Sequence, residues 1–170
     1  MLDFYKNKFE RELKRRVDLD NAVNSPILVS SLLVGLNSYI IKEHEFLKIW
    51  DVKDSIIILV LITSSILILI SCYYIFHSVN NFLNGFEYPN FDLMSKYREI
   101  EVFNNECANE DEKMDIENII KNKIVTYSDE ATIINDKRSE SLFKARKFII
   151  LNFITTTVNI IIITSINILR

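Results

Sequence analysis

The chain has 170 residues and a formal net charge of −3, from 23 acidic and 20 basic side chains. This balance excludes the excess of bases that nucleic-acid-binding proteins carry, so we expect no nucleic-acid partner. With only two glycines and two prolines, the sequence has no glycine-rich phosphate loop and few turns, and long helices should dominate.

The N-terminal segment, residues 1–25, is predicted to form an amphipathic basic helix. Phe4, Phe9, Leu13 and Val17 recur at helical spacing among charged residues. In one interpretation the helix packs against another cytoplasmic helix. In the other it lies on the membrane, where anionic lipid headgroups hold four cations: Arg11, Lys14, Arg15 and Arg16.

Three segments contain no Asp, Glu, Lys or Arg: Ile27–Ile41, Ser55–Phe76 and Phe148–Leu169. Because about 20 apolar residues cross a bilayer core, we predict membrane spans at residues 26–41, 55–76 and 148–169. The first is short enough for a signal-peptide core, but a long segment precedes it and "KEHE" replaces a cleavage site. The third is rich in β-branched residues, yet a lone strand in lipid would leave its backbone unsatisfied, so helix is expected.

Basic residues near the spans predict the orientation. They are dense before the first and third spans, whereas the loop 42–54 has three lysines against four acids. We therefore expect a multi-pass protein of the inner (cytoplasmic) membrane. The N-terminus and residues 80–147 should be cytoplasmic, with the loop and the C-terminus outside.

Residues 80–147 are predicted to form a cytoplasmic helical hairpin or coiled coil. A turn is expected near Gly85 and Pro89, a helix restart near Leu93, and a polar break within "NNECANEDEKMD". From Met114 an apolar stripe at helical spacing predicts one helix that continues without a break into the third span. Its members are Ile116, Ile120, Ile124, Tyr127, Ala131, Ile134, Leu142 and Ala145. Since one N-terminal helix covers this stripe poorly, we expect a homo-oligomer.

Asn135 and Arg138 interrupt this stripe. They are either solvated edge positions or a buried polar pair that fixes the register between subunits or contacts a ligand.

A polar face is predicted on the third span. On a helical wheel Asn152, Thr155, Thr156 and Asn159 share one narrow face, and Asn167 falls near it. Looser polar or small-residue faces occur on the second span (Thr63, Ser71, Tyr74, Ser78) and on the first (Ser31, Gly35, Ser38, with Asn37 beside them). Because Asn in lipid is costly without a partner, these faces should meet other helices or water. Helix packing and a water-lined path between subunits are both open. Because no ring of charged residues lines such a path, strong ion selectivity is not expected.

Catalytic residues are not evident. His44 and His77 should lie on opposite sides of the membrane, and the acidic run Glu110–Glu117 lacks the turn glycine of a calcium loop. Ser, Cys and Lys nucleophiles lack a nearby base. We therefore expect no enzyme, no metal site and no cofactor.

The run Ala131, Asn135, Arg138, Leu142 and Ala145, followed directly by a span, resembles the tail of small multi-pass membrane effectors in bacterial anti-phage systems. These include effectors tied to cyclic-nucleotide signalling. The layout is also similar: an N-terminal helix, a two-span hairpin, a cytoplasmic helical region and further spans, although many relatives have a fourth span. The resemblance implies membrane disruption or depolarisation on infection, triggered by a ligand or partner.

The sequence thus predicts an all-α membrane protein with three transmembrane helices. The expected function is an oligomeric inner-membrane effector that depolarises the membrane when triggered by a soluble partner or a small molecule. The alternative is a non-enzymatic membrane anchor or scaffold subunit that recruits a soluble partner through its cytoplasmic helices.

Overall fold

A computed structural model describes residues 2–43, 52–79, 87–90, 94–107 and 114–168, without the side chains of 43, 52–54, 167 and 168. Within these ranges there is no strand, and 93% of the residues are helical, which confirms the all-α prediction. The five helices are α1 (Leu2–Ala22), α2 (Asn24–Glu43), α3 (Val52–Ser78), α4 (Met94–Glu106) and α5 (Ile116–Ile168).

Pro26 explains why α1 and α2 are separate helices. Proline has no backbone N–H, and its ring collides with the carbonyl four residues earlier, which here belongs to Ala22, the last residue of α1. Only Val23 lies between the two helices. The Val23 carbonyl still accepts a backbone hydrogen bond from Ile27 at 3.3 Å, so the interruption is a single turn.

The 53 residues of α5 form one helix, as the sequence predicted. Asp115 caps its start, because the carboxylate accepts a hydrogen bond from the Asn118 backbone N–H at 3.0 Å. The preceding residue, Met114, exchanges two hydrogen bonds with the Asn104 side chain on α4, at 2.7 and 2.9 Å. No glycine or proline interrupts the helix afterwards.

The chain forms two compact units. We call Met1–Asp18 with Phe86–Asp136 the charged unit, and Leu19–Gly85 with Lys137–Arg170 the apolar unit. These boundaries follow packing within the chain, whereas the predicted segments follow membrane phase, so the two divisions describe different properties.

In the charged unit α1 and α5 run parallel. Lys8 pairs with Asp129 at 2.9 Å and Arg15 pairs with Asp136 at 2.7 Å, so both partners advance by seven residues.

In the apolar unit α3 is antiparallel to α5. Ser64 contacts Asn152 near one end of the helix pair, and His77 contacts Ser141 near the other, so residue numbers rise on one helix as they fall on the other.

Burial in the apolar unit follows a seven-residue repeat on all three helices. Inward positions alternate in steps of four and three, a spacing that keeps one helix face turned towards its neighbours over many turns. They are Val23, Pro26, Ser30, Leu33, Asn37 and Ile40 before and along α2; Ile57, Leu61, Ser64, Ile68, Ser71, Ile75 and Ser78 on α3; and Arg138, Leu142, Ala145, Ile149, Asn152, Thr156 and Asn159 on α5. Ile68 is half-buried and the others are buried.

Among the described residues, three helical segments are long and apolar enough to cross a membrane, one in each predicted region: Leu2–Lys42, which comprises α1 and most of α2, Ser55–Ser78 and Ile116–Ile166. Large apolar side chains point outwards from them, for example Leu28 and Leu69, each 70% exposed. Polar side chains that include the amides of Asn37 and Asn152 point inwards instead. Apolar outside and polar inside is the arrangement that lipid favours and water opposes, which supports a membrane protein.

The apolar stripe predicted on α1 does not pack against the described part of the chain, so the packing interpretation is wrong for it, and the interpretation that it lies on the membrane stays a prediction. Phe4, Leu13 and Val17 are exposed, and among its four members only Phe9 is half-buried. The buried residue of α1 is Glu12. In the charged unit the most enclosed position of α1 is polar, whereas Leu19 and Ala22 at the end of the helix pack against the Val23 cluster. Hydrophobicity alone therefore did not identify the packed face.

Candidate functional site: a polar stripe inside the apolar unit

The polar face predicted on the third span lies inside the apolar unit and meets polar residues of α2 and α3. We call Asn37, Ser64, Asn152, Thr156 and Asn159 the polar stripe. Each is at most 6% exposed. All five occupy inward positions of the seven-residue repeat, so the same pattern that buries Ile57 and Leu142 also buries them.

Four members of the stripe form a hydrogen-bonded network across three helices. Asn37 Nδ2 donates to Ser64 Oγ at 2.6 Å, and Ser64 Oγ donates to Asn152 Oδ1 at 2.5 Å. Thr156 Oγ1 lies 3.2 Å from Ser64 Oγ and 3.4 Å from Asn37 Oδ1. Each such bond between helices in lipid contributes about 0.6–2 kcal/mol, so the network ties α2, α3 and α5 together.

Asn159 stands outside this network. It is 0% exposed. Among the residues that the structure describes, neither its amide nitrogen nor its amide oxygen has a hydrogen-bond partner, and Asn152 Nδ2 also lacks one. One turn further along α5, Ile162 and Ile163 pack against the Ile40–Ile57–Leu61 cluster. An unpaired buried amide costs about 1–3 kcal/mol, so the closed arrangement holds Asn159 at an energetic disadvantage.

The structure brings Asn152, Thr156 and Asn159 together but leaves out another predicted member of their face. Thr155 is half-buried, and its hydroxyl bonds the Leu151 carbonyl of its own helix at 2.9 Å. The side chain of Asn167 lies outside the described residues. Within the single chain the stripe is enclosed by α2, α3 and α5, and a water-lined path between subunits stays a prediction.

The polar faces of the other two spans were predicted only in part. On the first span Ser31, Gly35 and Ser38 are exposed, whereas Asn37 beside them is buried. On the second span Ser71 and Ser78 are buried. Ser64 was missed in favour of its exposed neighbour Thr63. The signal for Ser64 was present in its seven-residue spacing from Ser71 and Ser78. That spacing follows the repeat of the burial pattern, whereas a 100° wheel drifts away from it.

Arg138 is fully buried in the apolar unit, so the solvated-edge interpretation is wrong for it. Its Nε donates to the Ser78 carbonyl at 2.7 Å, and its Nη2 donates to Asp20 Oδ1 at 2.5 Å. Ser78 is the last residue of α3, where helix carbonyls lack partners within their own helix. Arg138 therefore caps α3 and holds it to the segment around Asp20.

Asn135 is equally buried, but in the charged unit. Tyr88 Oη donates to Asn135 Oδ1 at 2.7 Å, and Asn135 Nδ2 donates to the Glu12 carbonyl at 3.0 Å and to its carboxylate at 3.1 Å. The partners belong to the same chain. Asn135 thus fixes α1 and Tyr88 onto α5 within one chain, and the solvated-edge interpretation is wrong here too.

Two of the four cations assigned to lipid headgroups are engaged within the charged unit. The Arg16 guanidinium lies 4.3 Å from the centroid of the Tyr88 ring, a cation–π contact. The hydrogen bond that Arg15 donates to the Asp136 carboxylate raises the pKa of the Arg15 guanidinium above its ordinary value, so it stays charged at physiological pH. Arg11 and Lys14 are exposed.

The described residues include no group of three or more His, Cys, Asp or Glu side chains that could hold a metal ion. His44 lies outside the described residues. No family model matches the sequence, and no curated protein and no solved structure matches it either.

Proposed function

We propose that the protein is an oligomeric inner-membrane effector that depolarises the membrane when triggered, in the manner of the anti-phage effectors that it resembles. The observation that supports this is the polar stripe, above all the unsatisfied amide of Asn159. A membrane anchor needs only apolar packing between its helices. A bundle that separates and admits water would hydrate Asn152 and Asn159, and would recover the free energy that the closed state lacks.

In this proposal the closed bundle is the resting state, with three spans and the N-terminus in the cytoplasm. The α4–α5 region forms the cytoplasmic helical hairpin, and a trigger acting there shifts the equilibrium towards the open state. The stripe contains amides and hydroxyls but no carboxylate or ammonium group. Conduction should therefore be weakly selective and should collapse the membrane potential without pumping a particular ion.

The experiment replaces the amides by a side chain of the same branching. In Asn152→Leu/Asn159→Leu we expect loss of depolarisation and growth arrest during titrated expression, read with a membrane-potential dye. At Asn159 the closed bundle should gain about 1–3 kcal/mol, because an unpaired amide becomes apolar. At Asn152 the lost bond from Ser64, worth about 0.6–2 kcal/mol, offsets the gain. Unfolding in detergent measures this gain.

The matched control is Thr157→Leu/Thr164→Leu. Both threonines are exposed on the same helix, and their hydroxyls bond carbonyls of their own helix. This variant should depolarise like the wild type. Full depolarisation by an inserted, intact Asn152→Leu/Asn159→Leu protein would refute the role of the stripe. A wild type that never depolarises at any expression level would favour the alternative, a membrane anchor or scaffold subunit for a soluble partner.

A further inference from the structure

Ser128 has a buried hydroxyl that does not make the hydrogen bond expected of it. Serine and threonine hydroxyls in helices usually bond the carbonyl four residues earlier, as Thr132 and Ser141 do on the same helix. Ser128 is 2% exposed, and its Oγ finds no hydrogen-bond partner in the described part of the chain. A buried polar atom of this kind calls for an explanation, and a ligand is one.

This serine lines a groove in the charged unit. The groove lies between the first three turns of α1 and residues 125–129 of α5. The groove has a volume of about 550 Å³, which is within the range of small-molecule sites. Phe4, Tyr5 and Val125 supply its apolar surface. Phe4 is 69% exposed, so its ring is available at the mouth of the groove.

The charged side chains of the groove leave a surplus of positive charge. Lys8 is neutralised by Asp129, whose Oδ1 lies 2.9 Å from its Nζ. Arg11 has only a loose contact, 3.6 Å, with the Glu12 carboxylate, and 73% of its side chain is exposed. That carboxylate already accepts a hydrogen bond from Asn135. The Arg11 guanidinium is thus the cation of the groove with most capacity for an added anion.

We propose that this groove binds a small aromatic anion. A planar ring would lie against Phe4 and Tyr5, an anionic group would take the guanidinium fork of Arg11, and a polar atom of the ligand would pair with Ser128 Oγ. The surplus charge and the unpaired hydroxyl favour such a ligand over the apolar helix of a second copy, which would leave both unsatisfied. This site does not depend on the proposed function, because binding is measured directly.

The test uses the full chain in a neutral detergent with 4-methylumbelliferyl phosphate, a planar ring that carries a phosphate. Its two halves, 4-methylumbelliferone and inorganic phosphate, serve as controls for ring and charge. We expect one saturable site per chain by equilibrium dialysis. The joined probe should bind at least about tenfold more tightly than either half, since the ring and the anion are held at once.

Two variants and a matched control locate the binding. Arg11→Gln should weaken it by about tenfold or more, which corresponds to one charge-assisted hydrogen bond, and Ser128→Ala should weaken it several-fold. Lys14→Gln removes an exposed cation of the same helix that does not line the groove, and it should bind like the wild type.

Three results would overturn the proposal: no saturable binding by the wild type, equal affinity for the probe and for inorganic phosphate, or unchanged binding by Arg11→Gln. A fourth is occupation of the groove by a second copy. In that case Phe4→Cys would crosslink between chains in the resting protein, and the probe would fail to compete. Thermal unfolding of Arg11→Gln and Lys14→Gln is expected to match the wild type because both side chains are exposed, and such a match excludes misfolding as the cause.

Discussion

At the scale of single residues, the buried guanidinium of Arg138 is the charge in the apolar unit whose stability depends most on a partner. Its partner Asp20 is half-exposed, whereas Arg138 itself is completely enclosed. A charge that loses its partner in such a place keeps its desolvation cost without compensation. The pair should therefore behave as a unit, in which losing one member is worse than losing both.

This coupling can be measured with a double-mutant cycle. Asp20→Asn should lower the free energy of unfolding by about 1–3 kcal/mol, less than for a fully buried pair because water reaches Asp20. Asp20→Asn/Arg138→Met should be no less stable than Asp20→Asn alone, since Met removes the stranded charge and fills similar space. Asp18→Asn, an exposed acid nearby, is the control and should have no effect. The variant Arg138→Met completes the cycle. If the loss in the double variant equals the sum of the losses in Asp20→Asn and Arg138→Met, the two residues are not coupled.

The burial of Asn135 and Arg138 could not be decided from the sequence, which permitted both a solvated and a buried position. Their partners are Glu12 and Tyr88 for one, and Asp20 and Ser78 for the other, all more than 40 residues away. Periodicity assigns a residue to a helix face but does not say which distant group will meet it. Polar residues at inward positions are therefore predicted as exposed unless their partners are known.

At the scale of helices, the seven-residue repeat decides which apolar side chains stabilise the fold. Val17 and Val23 are a natural pair for comparison. They are the same residue type, six positions apart, but Val17 is 56% exposed and Val23 is 5% exposed within a cluster containing Leu33 and Ile75. Only the second lies at an inward position.

Val23→Ala should therefore destabilise the protein by about 1–3 kcal/mol, through lost burial and a residual cavity. Val17→Ala should change the free energy of unfolding by less than about 0.5 kcal/mol. Denaturant unfolding followed by helical circular dichroism measures both. If the apolar stripe of α1 were packed against another helix, Val17 would be buried. A larger loss of stability in Val17→Ala than in Val23→Ala would support that interpretation.

The helices themselves were more predictable than their faces. The charge-free blocks identified the three apolar helices, because few other structures bury some 20 such residues in succession. The break at Pro26 and the unbroken α5 follow from where proline and glycine occur and where they do not. The packed faces were harder, because in lipid the outer surface is apolar too, and hydrophobicity no longer distinguishes inside from outside.

At the scale of the whole molecule, the directions of the helices and the distribution of charge bear on topology together. In the apolar unit Asp20 meets Arg138 and Asn37 meets Thr156, so the segment leading through α2 runs parallel to α5. The third helix, α3, runs antiparallel to α5. If all three cross a membrane, these directions put the start of α2 and the start of the apolar part of α5 on one side. Basic residues cluster before both, which predicts that this side is the cytoplasm.

Single cysteines in the full chain, with Cys72 and Cys107 replaced by serine, can test this arrangement. A membrane-impermeant maleimide applied to intact cells should label Arg170→Cys but neither Asn7→Cys nor Asn109→Cys until the cells are lysed. Labelling of Asn7→Cys and Asn109→Cys alone would keep the helix directions and invert the orientation, which would place the basic clusters outside. If Arg170→Cys and Asn109→Cys were labelled from the same side, α5 would not cross the membrane. The polar stripe would then have no membrane to open, and the proposed depolarisation would lose its physical basis.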